Sequence, residues 1–400
     1  MIALSARLWL LTTVVLLSAC GSDGQIADTS PASNGPLGGL NPVVGIENFV
    51  LANDGAAVSS ELLTYRMPSV AGGVTQQKAV VLIPAGTPPA GGFPVVAWGH
   101  QSVGVANICA PSSSDNLAGN AAYLDQFLQN GFAVVAADFE GLGTDDSHPY
   151  LNLASGGRSI LYAVDAAVQQ YRDLSSQFAV VGHSQGGHAA LGAAEYSREL
   201  PNLVLTGVVA IAPPTNLRSQ SEALNAALTD NGRSLAERSR AAISQLLFSA
   251  LVAAGVDATD TGFNQSTVFG EAGAALLADL QTECVEQLAQ NLISLVVAPL
   301  GTVGNVDSII PASVIDIPEV AQYLASNEPG TEVINVPVLL VQGSLDSVVF
   351  PESTSALNNL LRNVNGTDSV ITEYPSADHT TVVDQSVNEV LSFVANLFGN

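Results

Sequence analysis

Apolar, β-branched runs recur along this chain at positions 78–83, 93–98, 132–137, 178–181, 204–211, 336–342 and 370–374. Several are nearly continuous in Val, Ala, Leu and Ile. Strands buried on both faces have that character, as in parallel sheets covered by helices. Segments with helical spacing lie between them, at 120–129, 157–174, 184–200, 351–363 and 381–397. The alternation of strand and helix predicts an α/β fold with a mainly parallel sheet flanked by helices.

One interval breaks the rhythm. Between 211 and 336 no run reads as a strand, while 235–254 and 271–297 read as apolar or amphipathic helices. The pattern therefore predicts a core in two parts, 41–214 and 331–400, with 215–330 as a helical insertion. The alternative is a separate domain starting near 215. The run at 336–342 weighs against it, because it reads as one more strand of the same sheet.

The chain ahead of the core has a different texture. Arg7 precedes a short apolar run, 8–17, too short to span a bilayer comfortably. The run ends in Leu17-Ser18-Ala19-Cys20, which resembles the lipobox of bacterial lipoproteins. Residues 1–19 are expected to be a signal peptide and Cys20 the lipidated residue, with an ordinary secretory signal as the alternative. Gly21 after the cysteine favours the outer membrane or cell surface. Residues 20–40, rich in Gly, Ser, Pro, Ala and Asp, read as a flexible tether.

Composition narrows the partners. Hydrophobic residues make up 47% and charged residues 12% of 400, which supports a large packed core. Eleven Lys and Arg stand against 36 Asp and Glu, a formal net charge of −25. Such a surface repels phosphate backbones, so nucleic acid is not an expected partner. Beyond Cys20 only Cys109 and Cys284 remain, giving one possible disulfide in an exported protein or two buried thiols. No CxxC or Cys/His cluster occurs, and neither a metal site nor a cofactor is expected. Oligomeric state is not legible.

Chemistry is concentrated in Gly182-His183-Ser184-Gln185-Gly186-Gly187, a G-x-S-x-G sequence between a strand and a helix. In that setting the serine sits in a strained turn with its hydroxyl clear of the sheet. The flanking glycines remove side chains that would collide there. The helix N-terminus aims N–H groups where an oxyanion develops. A serine hydroxyl is a weak nucleophile until a base takes its proton. In this architecture the chain order is Ser, then Asp or Glu, then His. Of five histidines, only His379 follows a late strand, in the loop 375–380. Asp346, in the turn after the run 336–342, is the expected acid that orients the imidazole. Asp378, Glu352 and Asp384 are the competitors; Asp378 adjoins His379, and adjacent loop side chains rarely face each other.

The N–H of Gln185 is one expected oxyanion donor. The second is expected from Gln101 or Ser102, in the glycine-flanked loop after the run 93–98. His100 reads as a brace for that loop, and His183 and His188 as supports of the nucleophile. His148 shows no clear role. Asp138 and Glu140, in Asp138-Phe-Glu-Gly-Leu-Gly143, read as turn carboxylates that accept backbone bonds rather than as metal ligands.

Taken together, the motifs resemble the secretory lipase family typified by Candida lipase A. The matching pieces are Trp98-Gly-His-Gln-Ser-Val-Gly104, Cys109-Ala-Pro-Ser112, Asp138-Phe-Glu-Gly-Leu-Gly143, His148-Pro-Tyr150, Gly182-His-Ser-Gln-Gly-Gly187, Gly343-Ser-Leu-Asp346 and Asp378-His379. The resemblance implies an α/β-hydrolase core, a helical cap inserted before the acid residue, and activity on acyl esters or triglycerides. It also implies a disulfide between Cys109 and Cys284. One departure stands out: His100-Gln101-Ser102 replaces the His-Gly-Thr often found in bacterial relatives. The sequence thus points to a lipase or esterase acting through an acyl-enzyme. The alternatives are a peptidase or polyester depolymerase with the same triad, or an inert surface-binding lipoprotein.

Overall fold

The computed structural model describes residues 37–52, 55–296 and 306–399. The expected signal peptide, Cys20 and most of the expected tether lie outside them.

Nine strands form one mixed sheet. In chain order they are β1 (Val43–Asn48), β2 (Ala57–Pro68), β3 (Val74–Pro84), β4 (Phe93–Gly99), β5 (Ala133–Ala137), β6 (Leu174–His183), β7 (Val204–Ile211), β8 (Val338–Gly343) and β9 (Ser369–Tyr374). The spatial order is β1-β2-β3-β5-β4-β6-β7-β8-β9. β1, β2, β3 and β5 pair antiparallel, whereas β5, β4, β6, β7, β8 and β9 are parallel neighbours.

The continuous apolar runs are explained by the two faces of this sheet. Val95 and Ala97 of β4 join the core beneath α2 (Leu153–Gln170) and α3 (Gln185–Tyr196). Val96 and Trp98 join the opposite core with α1 (Ala121–Gln129) and α10 (Thr381–Leu397). Successive side chains leave a strand on opposite faces, so a strand covered on both must be apolar throughout. β1 and β2 escape the run-based reading for the converse reason. β1 lies at the sheet edge and is largely exposed, and β2 alternates, burying Leu63, Tyr65 and Met67 between less buried neighbours.

Between β7 and β8 the described chain is helical: α4 (Leu217–Thr229), α5 (Leu235–Thr259), α6 (Ala274–Asp279), α7 (Val285–Val296) and α8 (Pro318–Ser326). These helices share an apolar core of their own, which also takes in Val105, Tyr150 and Leu151. α5 is long and apolar enough to cross a membrane by length and composition, but most of it is buried in that core. A single helix over 271–297 does not form. The chain breaks around Cys284, which is disulfide-bonded to Cys109, and the Val285 N–H donates to the Val103 carbonyl at 2.9 Å. After β8, α9 (Pro351–Asn359) leads to β9. The predicted helix at 157–174 starts earlier and stops at Gln170, leaving Leu174 to open β6.

Candidate active site

Ser184 sits between β6 and α3 with φ 54° and ψ −121°, a conformation strained for any residue with a side chain. Tertiary contacts hold it there. Its N–H donates to the Ile211 carbonyl of β7 at 2.8 Å, and its own carbonyl accepts from His188. The turn is packed backbone to backbone. A Cβ on Gly182 would lie 2.0 Å from the Gly186 oxygen, and one on Gly186 would lie 1.9 Å from the Gly99 oxygen. Glycine is required at both places for space, whatever its backbone freedom.

His379 reaches Ser184 from the loop after β9. Its Nε2 lies 2.9 Å from the Ser184 Oγ, and its Nδ1 lies 2.7 Å from the Asp346 Oδ2. Asp346, in the turn after β8, is buried at 4% exposure. Its Oδ1 accepts the N–H groups of Val348 and Val349 at 2.8 and 2.9 Å, and Gln342 Nε2 donates to Oδ2 at 3.2 Å. Those donors satisfy the buried carboxyl group and fix which oxygen faces the ring. The His379 loop approaches β8 over Gly343, where a Cβ would meet the Ala377 carbonyl oxygen at 2.6 Å.

The competitors for the acid are placed elsewhere. Asp378 is exposed, and its Oδ1 accepts from the backbone of Thr380 and Thr381 and from the Thr381 hydroxyl. Those bonds hold its carboxyl below the usual range. Glu352 and Asp384 are exposed on α9 and α10.

The remaining histidines are buried and kept neutral by desolvation. His183, lowered to about 3, places Nε2 2.8 Å from the His379 carbonyl and so ties the elbow to the histidine loop. His188, lowered to about 4, contacts the Asn327 carbonyl at 2.7 Å, where the helical segment rejoins the sheet. His100, lowered to about 3, contacts the Gln101 carbonyl at 2.7 Å and stacks on Phe139 at 4.1 Å. His148 has a partner that the sequence did not suggest: its Nε2 lies 2.8 Å from Gln185 Nε2. Nothing in the local sequence His148-Pro149-Tyr150 signals that contact.

Asp138 and Glu140 accept hydrogen bonds. Asp138 takes the Ser112 N–H at 3.1 Å and the Ser112 hydroxyl at 2.5 Å, and burial pushes its carboxyl up to about 7. Glu140 accepts from the Ser155 hydroxyl at 2.6 Å, and burial raises it as well. In the loop after β4, Gln101 Nε2 donates to the Ala118 carbonyl at 3.2 Å, and the Ser102 hydroxyl meets the Tyr150 hydroxyl at 2.8 Å.

Comparison with known proteins bears on the fold and the family. A comparison with curated sequences gives no match. Solved structures do. Candida antarctica lipase A in its closed state superposes with a TM-score of 0.71 at 18% identity, over 90% of this chain and 82% of that one. The rice cell wall degrading esterase LipA from Xanthomonas oryzae gives 0.68 at 19%, over 89% and 97%. A putative hydrolase from Legionella pneumophila gives 0.69 at 16%, over 90% and 98%. At such identities the likeness establishes the fold, an α/β-hydrolase sheet. The family model described as "Secretory lipase" matches residues 118–400, well over half of the sequence. The chain belongs to the secretory lipase family and is a hydrolase of lipase or esterase type.

Proposed function

We propose that the protein hydrolyses carboxylic esters of acyl chains by a two-step acyl transfer on Ser184. The observation that carries this is the unbroken chain from Asp346 through His379 to Ser184, at 2.7 and 2.9 Å. His379 takes the hydroxyl proton as Ser184 attacks the ester carbonyl, then returns it to the leaving alcohol. Asp346 keeps Nδ1 protonated, so Nε2 faces the hydroxyl as a base, and it stabilises the imidazolium. The Gln185 N–H and one N–H of the Gln101–Ser102 turn hold the oxyanion. Water activated by His379 then releases the acid.

The helical segment 215–330 acts as a cap in this reading. It is supported by an apolar core that takes in Val105 and Tyr150, from loops at the strand ends where the triad gathers. An acyl chain needs such apolar walls. The leader and Cys20 deliver the enzyme to a lipid-anchored, exported location, a reading supported by Leu17-Ser18-Ala19-Cys20.

The test is turnover of p-nitrophenyl esters of rising chain length beside peptide and polyester substrates, with fluorophosphonate labelling. The expected result is ester turnover and labelling at Ser184, both absent in Ser184→Ala. A protein that leaves esters intact and fails to react with the probe overturns the proposal.

A further inference from the structure

The loop after β5 ends in His148-Pro149-Tyr150, and two side chains of this short segment reach the side chains of Gln185 and Ser102, two of the three residues whose backbone N–H groups are candidate oxyanion donors. His148 contacts the Gln185 side chain at 2.8 Å. Tyr150 contacts the Ser102 hydroxyl at 2.8 Å. Gln185 is the first residue of α3, and Ser102 lies in the loop after β4. These two elements are far apart in sequence and are bridged on this side by one turn.

Proton bookkeeping fixes the direction of the first contact. His148 Nδ1 lies 2.6 Å from the Glu140 backbone carbonyl, which can only accept. Nδ1 therefore carries the proton. The ring is fully enclosed and neutral, so Nε2 bears a lone pair and the Gln185 amide must donate to it. That order locks both the tautomer of His148 and the orientation of the Gln185 amide. The other half of the segment is anchored from the helical insertion. Tyr323 on α8 donates its hydroxyl to the Tyr150 carbonyl at 2.8 Å. Gly255 on α5 leaves no room for a side chain, because a Cβ there would lie 2.6 Å from the Tyr150 oxygen. Desolvation pushes the Tyr150 phenol up to about 12, so its hydroxyl stays protonated and able to bond.

We propose that His148 and Tyr150 are positioning residues that clasp the two sides of the oxyanion hole, with Tyr323 linking the clasp to the helical insertion. The proposal rests on the ester hydrolase reading and adds what sets the spacing between the two donors. Oxyanion donors act by being held in place before charge develops, and a loose donor loses most of its effect. A clasp should therefore act on the transition state and spare ground-state binding. Because Tyr323 belongs to the insertion, a shift of α8 would be felt at Ser102 through two hydrogen bonds with Tyr150 between them.

The experiment compares wild type, Tyr150→Phe, His148→Leu, His148→Gln and Tyr323→Phe on p-nitrophenyl butyrate, with inhibition by a simple alkylboronic acid as a tetrahedral oxyanion mimic. Tyr150→Phe keeps the ring and removes one hydroxyl, so it retains the packing. The expected result for it is a kcat about 10- to 100-fold lower with KM nearly unchanged, and boronate affinity falling in parallel. His148→Leu should lose as much, and His148→Gln, which keeps an acceptor for Gln185, should recover a large part. Tyr323→Phe should show the smallest loss, in kcat alone. Thermal unfolding identifies any variant that fails to fold, in which case Tyr150→Phe decides. The clasp is overturned if Tyr150→Phe keeps wild-type kcat and boronate affinity, or if KM alone moves. Wild type that turns over ester while Ser184→Ala does not isolates such a failure to the clasp. Wild type without ester turnover takes down the hydrolase reading and the clasp with it.

Discussion

The two sides of the candidate site are built differently. On the nucleophile side, position is set by backbone packed on backbone. Gly182, Gly186 and Gly99 meet where no Cβ fits, and the Ser184 N–H is bonded across to β7. On the acid and base side, backbone meets backbone at Gly343 beneath the Ala377 carbonyl, and side-chain hydrogen bonds set the two functional groups. Asp346 is held by two N–H groups and one amide, His379 by Asp346 and by the His183 contact, and neighbouring Leu345 and Asp378 are exposed. The nucleophile must stay in a strained conformation, which only over-determined packing can hold. The acid and base need orientation more than strain, and hydrogen bonds suffice. Substitutions should therefore separate: glycines of the elbow should break the fold, and members of the hydrogen-bonded chain should break the chemistry.

The largest effect is expected at Ser184 itself. Ser184→Ala should lower kcat by about 10⁴-fold or more while the protein still unfolds cooperatively, as read by ester turnover beside a thermal melt. Asp346→Asn comes next. The amide keeps an acceptor for Val348 and Val349 but turns the wrong group toward His379 Nδ1, so kcat should fall by about 10³- to 10⁴-fold with little change in Tm. If Asp346→Asn instead unfolded the protein, the contrast between the two sides would fail.

Gly186→Ala tests the other side. Its new methyl would stand 1.9 Å from the Gly99 oxygen, between two backbones that cannot both yield. A loss of about 3 kcal/mol or more is expected, measured by denaturant unfolding. A stable Gly186→Ala protein would show that the elbow is looser than its packing implies.

A pH dependence sharpens the comparison at the loop beside the site. Asp138 has its carboxyl raised from 3.8 to about 7 by burial. Between those values the folded state holds a proton that the unfolded state has released. The stabilisation is complete below 3.8 and is lost as pH rises through about 7. Relative to Asp138→Asn, wild type should therefore lose up to about 1.4 kcal/mol per pH unit from pH 4 to 7 and nothing further above it. Equal pH dependence of the two melts would show that burial does not raise the Asp138 carboxyl.

Legibility follows the same division. The serine turn is readable because strand, glycines, serine and helix are adjacent in sequence, so one local motif states its own geometry. His379 and Asp346 were readable from chain order and from their place after apolar runs, but nothing local said which oxygen faces which nitrogen. β2 is not legible as a continuous apolar run, because its buried Leu63, Tyr65 and Met67 alternate with more exposed neighbours. The interruption near Cys284 was not visible because it is imposed by Cys109 and Val103, both about 175 residues or more away along the chain.

By itself the sequence determined the fold class, the strained serine turn and the residue types available to activate it, because periodicity and glycine placement are local properties of a chain. The tertiary structure alone decided that His148 meets Gln185, that Tyr150 meets Ser102 and that His183 braces the loop of residue 379. Those partners are set by how loops from separate strand ends converge, and no spacing along the chain encodes a direction in space.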